Sequence, residues 1–297
     1  MQCMYLAIVL TSWTSMVIYG YPLISSPSNS LLSPHHCKAG YAVFAVCLYT
    51  FHRACTVPAG DLRPSTLARY DNYPYDNVLY TPRDCRTLKF RKVPRSKFDR
   101  STKAHVPRFD HFCVWLNQPV GEENYRDFLL FVLVHCGMLA YGSYVSLQLL
   151  RHIVDSEGLY AVKYYNARTG ETVQASAMVV FRYMSNKHPA LICLLVLSSV
   201  MGAVMAGFAA FHLWICGGGM TTNEYFKWRD IKAWHKEATR KLVPDPGPLP
   251  KNIYDRGLFN NFHEVLFPRS LTKTAKDKVD NNKSGHEKKK KKKKKET

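Results

Sequence analysis

No Cys-x-x-Cys pair occurs among the nine cysteines of this 297-residue chain, which lie scattered at positions 3, 37, 47, 55, 85, 113, 136, 193 and 216. That spacing excludes a disulfide framework, and thiols facing the cytosol are expected to be reduced. Charge is missing in blocks. Phe128 to Leu150 and Ala190 to Cys216 contain no Asp, Glu, Lys or Arg. Uncharged runs of this length exclude a single large soluble core, and each exceeds the ~20 residues needed to cross hydrocarbon. The same absence leaves a channel or transporter without its usual intramembrane groups. Acid is the scarcer sign, with 22 Asp+Glu against 41 Lys+Arg.

Two further apolar runs lie near the start. Met4 to Pro22 is a third span, and Cys37 to Phe51 is a shorter fourth. No Lys or Arg precedes the first run and Tyr21-Pro22 offers no small-residue cleavage site, so it reads as an uncleaved span. Basic charge then orients the bundle. Residues 83 to 126 hold eleven Lys+Arg against five Asp+Glu, and residues 217 to 297 hold twenty-one against ten. Positive charge stays on the cytosolic side, which four spans with both termini in the cytosol satisfy, leaving 151 to 189 in the lumen. A glycan on the single sequon, Asn282-Lys283-Ser284, would overturn this orientation.

Just before the third hydrophobic run stands Asp110-His111-Phe112-Cys113. A carboxylate, an imidazole and a thiol in this order have the chemistry of an activated cysteine. Cys113 is the nucleophile, His111 its base, and Asp110 the group that orients the imidazole. A tight turn is expected to bring the three together.

The stretch from Cys85 to Phe131 carries Arg95-Ser96-Lys97, Arg108-Phe109-Asp110-His111, Cys113, Trp115, Asn117, Gly121, Asn124 and Phe128. Beyond the last span come Thr221-Thr222-Asn223-Glu224 and then Asn252-x-Tyr254-x-x-Gly257-x-x-x-Asn261. In this order, interleaved with four hydrophobic runs, the chain resembles the DHHC-type protein S-acyltransferases, and the resemblance covers residues 1 to about 268. It implies an all-α membrane protein with about four transmembrane helices and a small irregular cytosolic catalytic domain between helices 2 and 3. Residues 1–57 carry helices 1 and 2, and 58–127 the catalytic domain. Residues 128–216 carry helices 3 and 4 around the lumenal loop, 217–268 the two C-terminal motifs, and 269–297 a disordered lysine-rich tail.

The departures from the family pattern fall on metal binding. In the family, eight Cys and His side chains hold two structural zinc ions. Here only Cys85 and His105 remain as remnants of one site, alongside Leu88 and Phe98. The other site reads Asp99, Thr102, Phe112 and Pro119. The second histidine of the family tetrapeptide, a zinc ligand, is Phe112. The resemblance therefore implies no required cofactor, with structural zinc absent or partial and apolar burial in its place.

The implied reaction is a two-step thioester exchange. Cys113 accepts a fatty acyl group from acyl-CoA and passes it to a cytosolic cysteine of a membrane-associated protein. The partners are acyl-CoA, such proteins and the bilayer, with no nucleic acid. Lys89, Arg91, Lys92, Arg95, Lys97 and Arg100 suit coenzyme A phosphates, anionic headgroups or a solvated basic face. A hydroxyl from the Thr221-Thr222-Asn223-Glu224 motif, that of Thr222, is expected near Asp110; Asn252, Tyr254, Gly257 and Asn261 are assigned to packing. The rival reading is an inactive membrane adaptor of the same fold. His135 and His212 read as interhelical hydrogen bonders, and Gly202 and Gly207 as points of close helix approach. The terminal Lys294-Lys295-Glu296-Thr297 resembles a dilysine signal for the endoplasmic reticulum, and the eight lysines from Lys288 to Lys295 attract anionic lipid.

Overall fold

The computed structural model describes residues 1–27, 31–165, 168–240 and 247–273. The dilysine end, the sequon and the eight-lysine run lie outside the described residues. Helices α1 (Gln2–Ser15) and α2 (Tyr21–Ile24) are joined by a π-helical segment, Met16–Gly20. Pro22 follows that segment and brings no N–H to the helical ladder. Next come α3 (His35–Thr56) and the short α4 (Leu67–Tyr70). Two hairpins precede the long α5 (Tyr125–Ser156): β1 (Lys97–Asp99) with β2 (Ala104–Val106), and β3 (His111–Cys113) with β4 (Gln118–Val120). After the pair β5 (Tyr164–Tyr165) and β6 (Thr172–Val173) run α6 (Ala177–Lys187), α7 (Pro189–Gly217), α8 (Thr222–Arg240) and α9 (Leu258–Leu266).

Among the described residues, three helical stretches are long and apolar enough to cross a membrane: Gln2–Ile24, Tyr125–Ser156 and Pro189–Gly217. The third and fourth elements of the expected bundle are thus α5 and α7, both longer than their uncharged cores. The shorter run expected at 37–51 lies inside α3, a 22-residue helix with Lys38 and Arg53 near its ends. The class is helical as expected, and the few strands are short. The segment expected to be irregular holds two of the hairpins, and the segment 151–189 holds a hairpin and a helix instead of a plain loop.

The described residues fall into two compact units, one drawn from 1–52 and 130–209, the other from 53–129 and 210–273. In the first, Ile24, Leu32, Leu149, Ile153, Met184 and Leu191 form a buried cluster. Tyr5 stacks on Phe51 at 3.8 Å and bonds His135 Nε2 at 2.7 Å, the interhelical bond read from sequence. A Cβ added at Gly202 would lie 3.5 Å from the Leu139 Cβ, whereas one added at Gly207 would meet nothing within 4 Å among the described residues, so only the first is a point of close approach.

The second unit is held by a buried ionic hub. Arg95, fully enclosed, donates through Nε and Nη2 to the two carboxylate oxygens of Glu224 at 2.8 and 2.7 Å, and through Nη2 to the Gly219 carbonyl at 2.8 Å. Its guanidinium stacks on Tyr254 at 4.7 Å and Tyr73 at 5.1 Å, and its Nη1 lies 3.5 Å from Glu264 Oε1. Burial works against the charge, and Glu224 overcomes it, so the guanidinium is held above its ordinary pKa. Arg269 pairs with the other Glu264 oxygen at 2.8 Å. Planar two-pronged pairing of this kind is among the strongest in a protein, and removal of one partner strands the other.

Arg95 is therefore a correction to the sequence reading. It belongs to the interior and offers nothing to a phosphate. Disorder from residue 269 is corrected too. Arg269 also donates to the Asn72 carbonyl at 2.7 Å, the Ser270 N–H to Glu122 at 3.0 Å, and Lys273 to the Ala68 carbonyl at 2.6 Å. These bonds fix the chain through Lys273.

Candidate active site

Cys113 and His111 sit two residues apart on β3. Alternate residues of a strand point to one face, so the extended backbone aligns thiol and imidazole, and the expected tight turn is not the device used. Asp110 enters just before the strand, where its N–H bonds the Val120 carbonyl of β4 at 2.8 Å. Opposite them, Phe112 faces Pro119 across the hairpin and His111 faces Val120. Asn117, at a φ of 55°, turns the chain, and the proline is tolerated because β4 is an edge strand.

His111 Nδ1 lies 2.6 Å from Asp110 Oδ2, which leaves Nε2 for Cys113. Burial pushes the imidazole down, and its bonds to Asp110 and Cys113 reverse this, raising it to about 9. At that value the imidazole carries a proton at neutral pH, beside the buried Cys113 side chain. Asp110 is almost wholly enclosed. Burial would raise its carboxyl, but the His111 bond and charge hold it below the usual range.

The other Asp110 oxygen, Oδ1, accepts the backbone N–H of Thr222 at 2.7 Å. Thr222 opens the 19-residue α8, so the carboxylate sits at a positive helix end. The expectation of a hydroxyl contact is corrected: the main-chain N–H is the donor, and Thr222 Oγ1 is buried without a partner among the described residues. Thr221 and Glu224 form a capping box, with Glu224 N–H to Thr221 Oγ1 at 3.2 Å and Thr221 N–H to Glu224 Oε2 at 3.0 Å. Glu224 thus starts the helix and anchors Arg95 at once.

The C-terminal motif grips the end of α7. Asn252 and Asn261 donate to the Gly218 and Gly217 carbonyls at 3.0 and 2.8 Å, and Tyr254 donates its hydroxyl to the Pro74 carbonyl at 2.9 Å. Gly257, at a φ of 85°, precedes α9. None of the four touches the triad, in keeping with packing. Gly219 was missed in the sequence: its φ is 65°, and a Cβ there would lie 2.7 Å from the Tyr254 carbonyl. The Gly-Gly-Gly run ending a span was the available signal.

The residues at the family's metal positions do not fit zinc. Cys85 Sγ accepts the Leu88 N–H at 3.5 Å, and His105 is paired across its hairpin with Phe98. Both His105 ring nitrogens are buried and unpartnered among the described residues; burial, then Lys92, lowers its pKa to about 4. Asp99 Oδ2 is occupied by the Thr102 N–H and hydroxyl at 2.9 and 2.7 Å. One thiol and one imidazole fall short of the four donors of a structural site.

Comparison with known proteins agrees with this geometry. The family profile described as DHHC palmitoyltransferase matches residues 79–229. Palmitoyltransferase ZDHHC4 of Rattus norvegicus is 29% identical over 243 residues, covering 80% of this chain and 70% of its own. Palmitoyltransferase SWF1 of Yarrowia lipolytica is 30% identical over 245 residues, covering 67% and 62%. Palmitoyltransferase swf1 of Schizosaccharomyces pombe is 28% identical over 225 residues, covering 68% and 59%. With the profile spanning half of the sequence and the Asp-His-Cys array inside it, the chain belongs to the DHHC palmitoyltransferase family.

Proposed function

We propose that this membrane protein is a protein S-acyltransferase working through an acyl thioester on Cys113. The observation that carries the reading is the hydrogen-bonded line from the Thr222 N–H through Asp110 to His111, ending at Cys113. In the first step the Cys113 sulfur attacks the carbonyl of a fatty acyl-CoA. The new sulfur–carbon bond forms as the carbon–sulfur bond to coenzyme A breaks. The one proton shared by the Cys113 sulfur and the His111 imidazole passes to the departing coenzyme A thiolate, leaving His111 neutral. In the second step a substrate-protein thiol gives its proton to His111 and attacks the same carbonyl, and Cys113 leaves as thiolate. Asp110 keeps its charge throughout and stabilises the imidazolium.

The substrates in this reading are membrane-associated proteins with cytosolic cysteines, and palmitoyl-type chains are the donor groups. The basic segments 83–126 and 217–297 support a cytosolic placement of both termini and of the active site. The terminal Lys294-Lys295-Glu296-Thr297 supports residence in the endoplasmic reticulum, and relocation after Lys294→Ser with Lys295→Ser tests it. Catalysis without structural zinc follows from the poor donor set, and activity after exhaustive chelation tests that.

The central experiment incubates purified protein with labelled palmitoyl-CoA. A hydroxylamine-labile adduct on wild type and none on Cys113→Ala is the expected result. Equal labelling of both moves the nucleophile elsewhere, and labelling of neither favours the adaptor.

A further inference from the structure

His212 lies in α7, nine residues before the Thr221 cap, and is 1% exposed. Its ring stands edge-on to Phe128 at 4.9 Å and 5.7 Å from the His111 ring. A nitrogen of His212, a nitrogen of His111 and a carboxylate oxygen of Asp110 all lie within 4.8 Å of one another. The charged groups acting on His212 are Asp110 and His111. Its Nδ1 is 3.0 Å from the Tyr125 hydroxyl, which in turn accepts from Cys216 Sγ at 3.3 Å. His212 and Cys216 are four residues apart on α7, hence on one face, so a single tyrosine from the first turn of α5 serves both. A hydroxyl that accepts from sulfur has its proton directed to Nδ1, which places the proton of a neutral His212 on Nε2. A buried imidazole in an apolar helix is costly unless it is engaged, and here it bonds Tyr125 and lies beside the catalytic pair.

We propose that His212, oriented by Tyr125, is a positioning residue for thioester exchange: it holds the Asp110–His111 pair in the orientation that serves Cys113. The inference rests on Cys113 as nucleophile. It assigns to α7 a part in the reaction, carried by a side chain that touches neither acyl donor nor acceptor sulfur.

The test is single-turnover self-acylation with palmitoyl-CoA across pH, on wild type, Cys113→Ala, His212→Ala, His212→Gln and Tyr125→Phe, with folding followed by melting temperature. His212→Ala is expected to lower the rate constant by ~10–100-fold with the half-saturating acyl-CoA concentration within about twofold, since misplaced groups cost rate more than binding. Its rate–pH midpoint should move by at least about half a unit, because a neighbour of an ion pair has been removed. His212→Gln, which keeps a donor, should recover part of the rate. Tyr125→Phe should move the midpoint the same way by less, and it keeps the ring if His212→Ala fails to fold. An unchanged rate and midpoint in both His212→Ala and Tyr125→Phe overturns the proposal, as does a slower rate with an unchanged midpoint and no recovery by His212→Gln. Labelling of Cys113→Ala overturns instead the reading on which it rests.

Discussion

Hairpins β1–β2 and β3–β4 are each antiparallel with three residues per strand, and each carries positions that the family uses for zinc. In β1–β2 those positions have turned inward on themselves: Asp99 ties Thr102 at the turn, and His105 is buried against Phe98 and Phe90. In β3–β4 the two faces divide the labour. One presents His111 and Cys113, and the other pairs Phe112 with Pro119. The difference teaches that chemistry and cross-linking are separable even within five residues. Beyond the hairpins, ion pairs between side chains far apart in sequence, above all Arg95, Glu224 and Glu264, tie the unit together.

The sharpest break of that comparison is His111→Gln, which should lower self-acylation by ~10²–10⁴-fold, the usual worth of a general base. Melting temperature should fall by less than in the hub variants. Glu224→Ala should cost about 3–5 kcal/mol in chemical denaturation, because it strands a buried guanidinium, and activity should fall with the fold. If Glu224→Ala melts like wild type, the hub does not hold the second unit together.

A pH series separates the two regions further. His111 is raised in the folded protein, so its contribution to stability is complete below the unfolded value of ~6.5 and lost as pH rises through about 9. The melting-temperature gap between wild type and His111→Gln should therefore shrink over that window. His105 is lowered to about 4, the opposite sign, so protonation at acid pH destabilises the first hairpin. The smallest effect is expected from His105→Leu. Removing an unpartnered buried imidazole should leave stability within ~1 kcal/mol or raise it. A loss of several kcal/mol there, or one equivalent of zinc in purified protein by elemental analysis, would show that the remnant site still works as a metal site.

Three of the four expected spans and the clustering of the triad were legible because their signals are local: uncharged length for the helices, and three reactive side chains in four residues. The strand carrying Cys113 was not, since three residues give too little alternation to tell a strand from a turn. Arg95 was misread because a basic residue in a basic segment looks the same whether it faces phosphate or a distant Glu224. Thr222 was found for the wrong atom. A motif names side chains, whereas the bond to Asp110 is made by the main chain at a helix start. The capping box Thr221-x-x-Glu224 was present in the letters and could have predicted that start. His212 carried no distinguishing letter at all, because an imidazole in a span reads alike whether it bonds one tyrosine or abuts a catalytic pair.

Arg95 also sets an order of events during synthesis. It leaves the ribosome 129 residues ahead of Glu224 and 169 ahead of Glu264. At ~5–20 residues per second that is a wait of roughly 10–30 s. Until both acids arrive, the guanidinium has nowhere dry to go, and the hairpin bearing Cys113 has no fixed floor. The hub, and with it the helix start that holds Asp110, is thus complete only after α9 has been made.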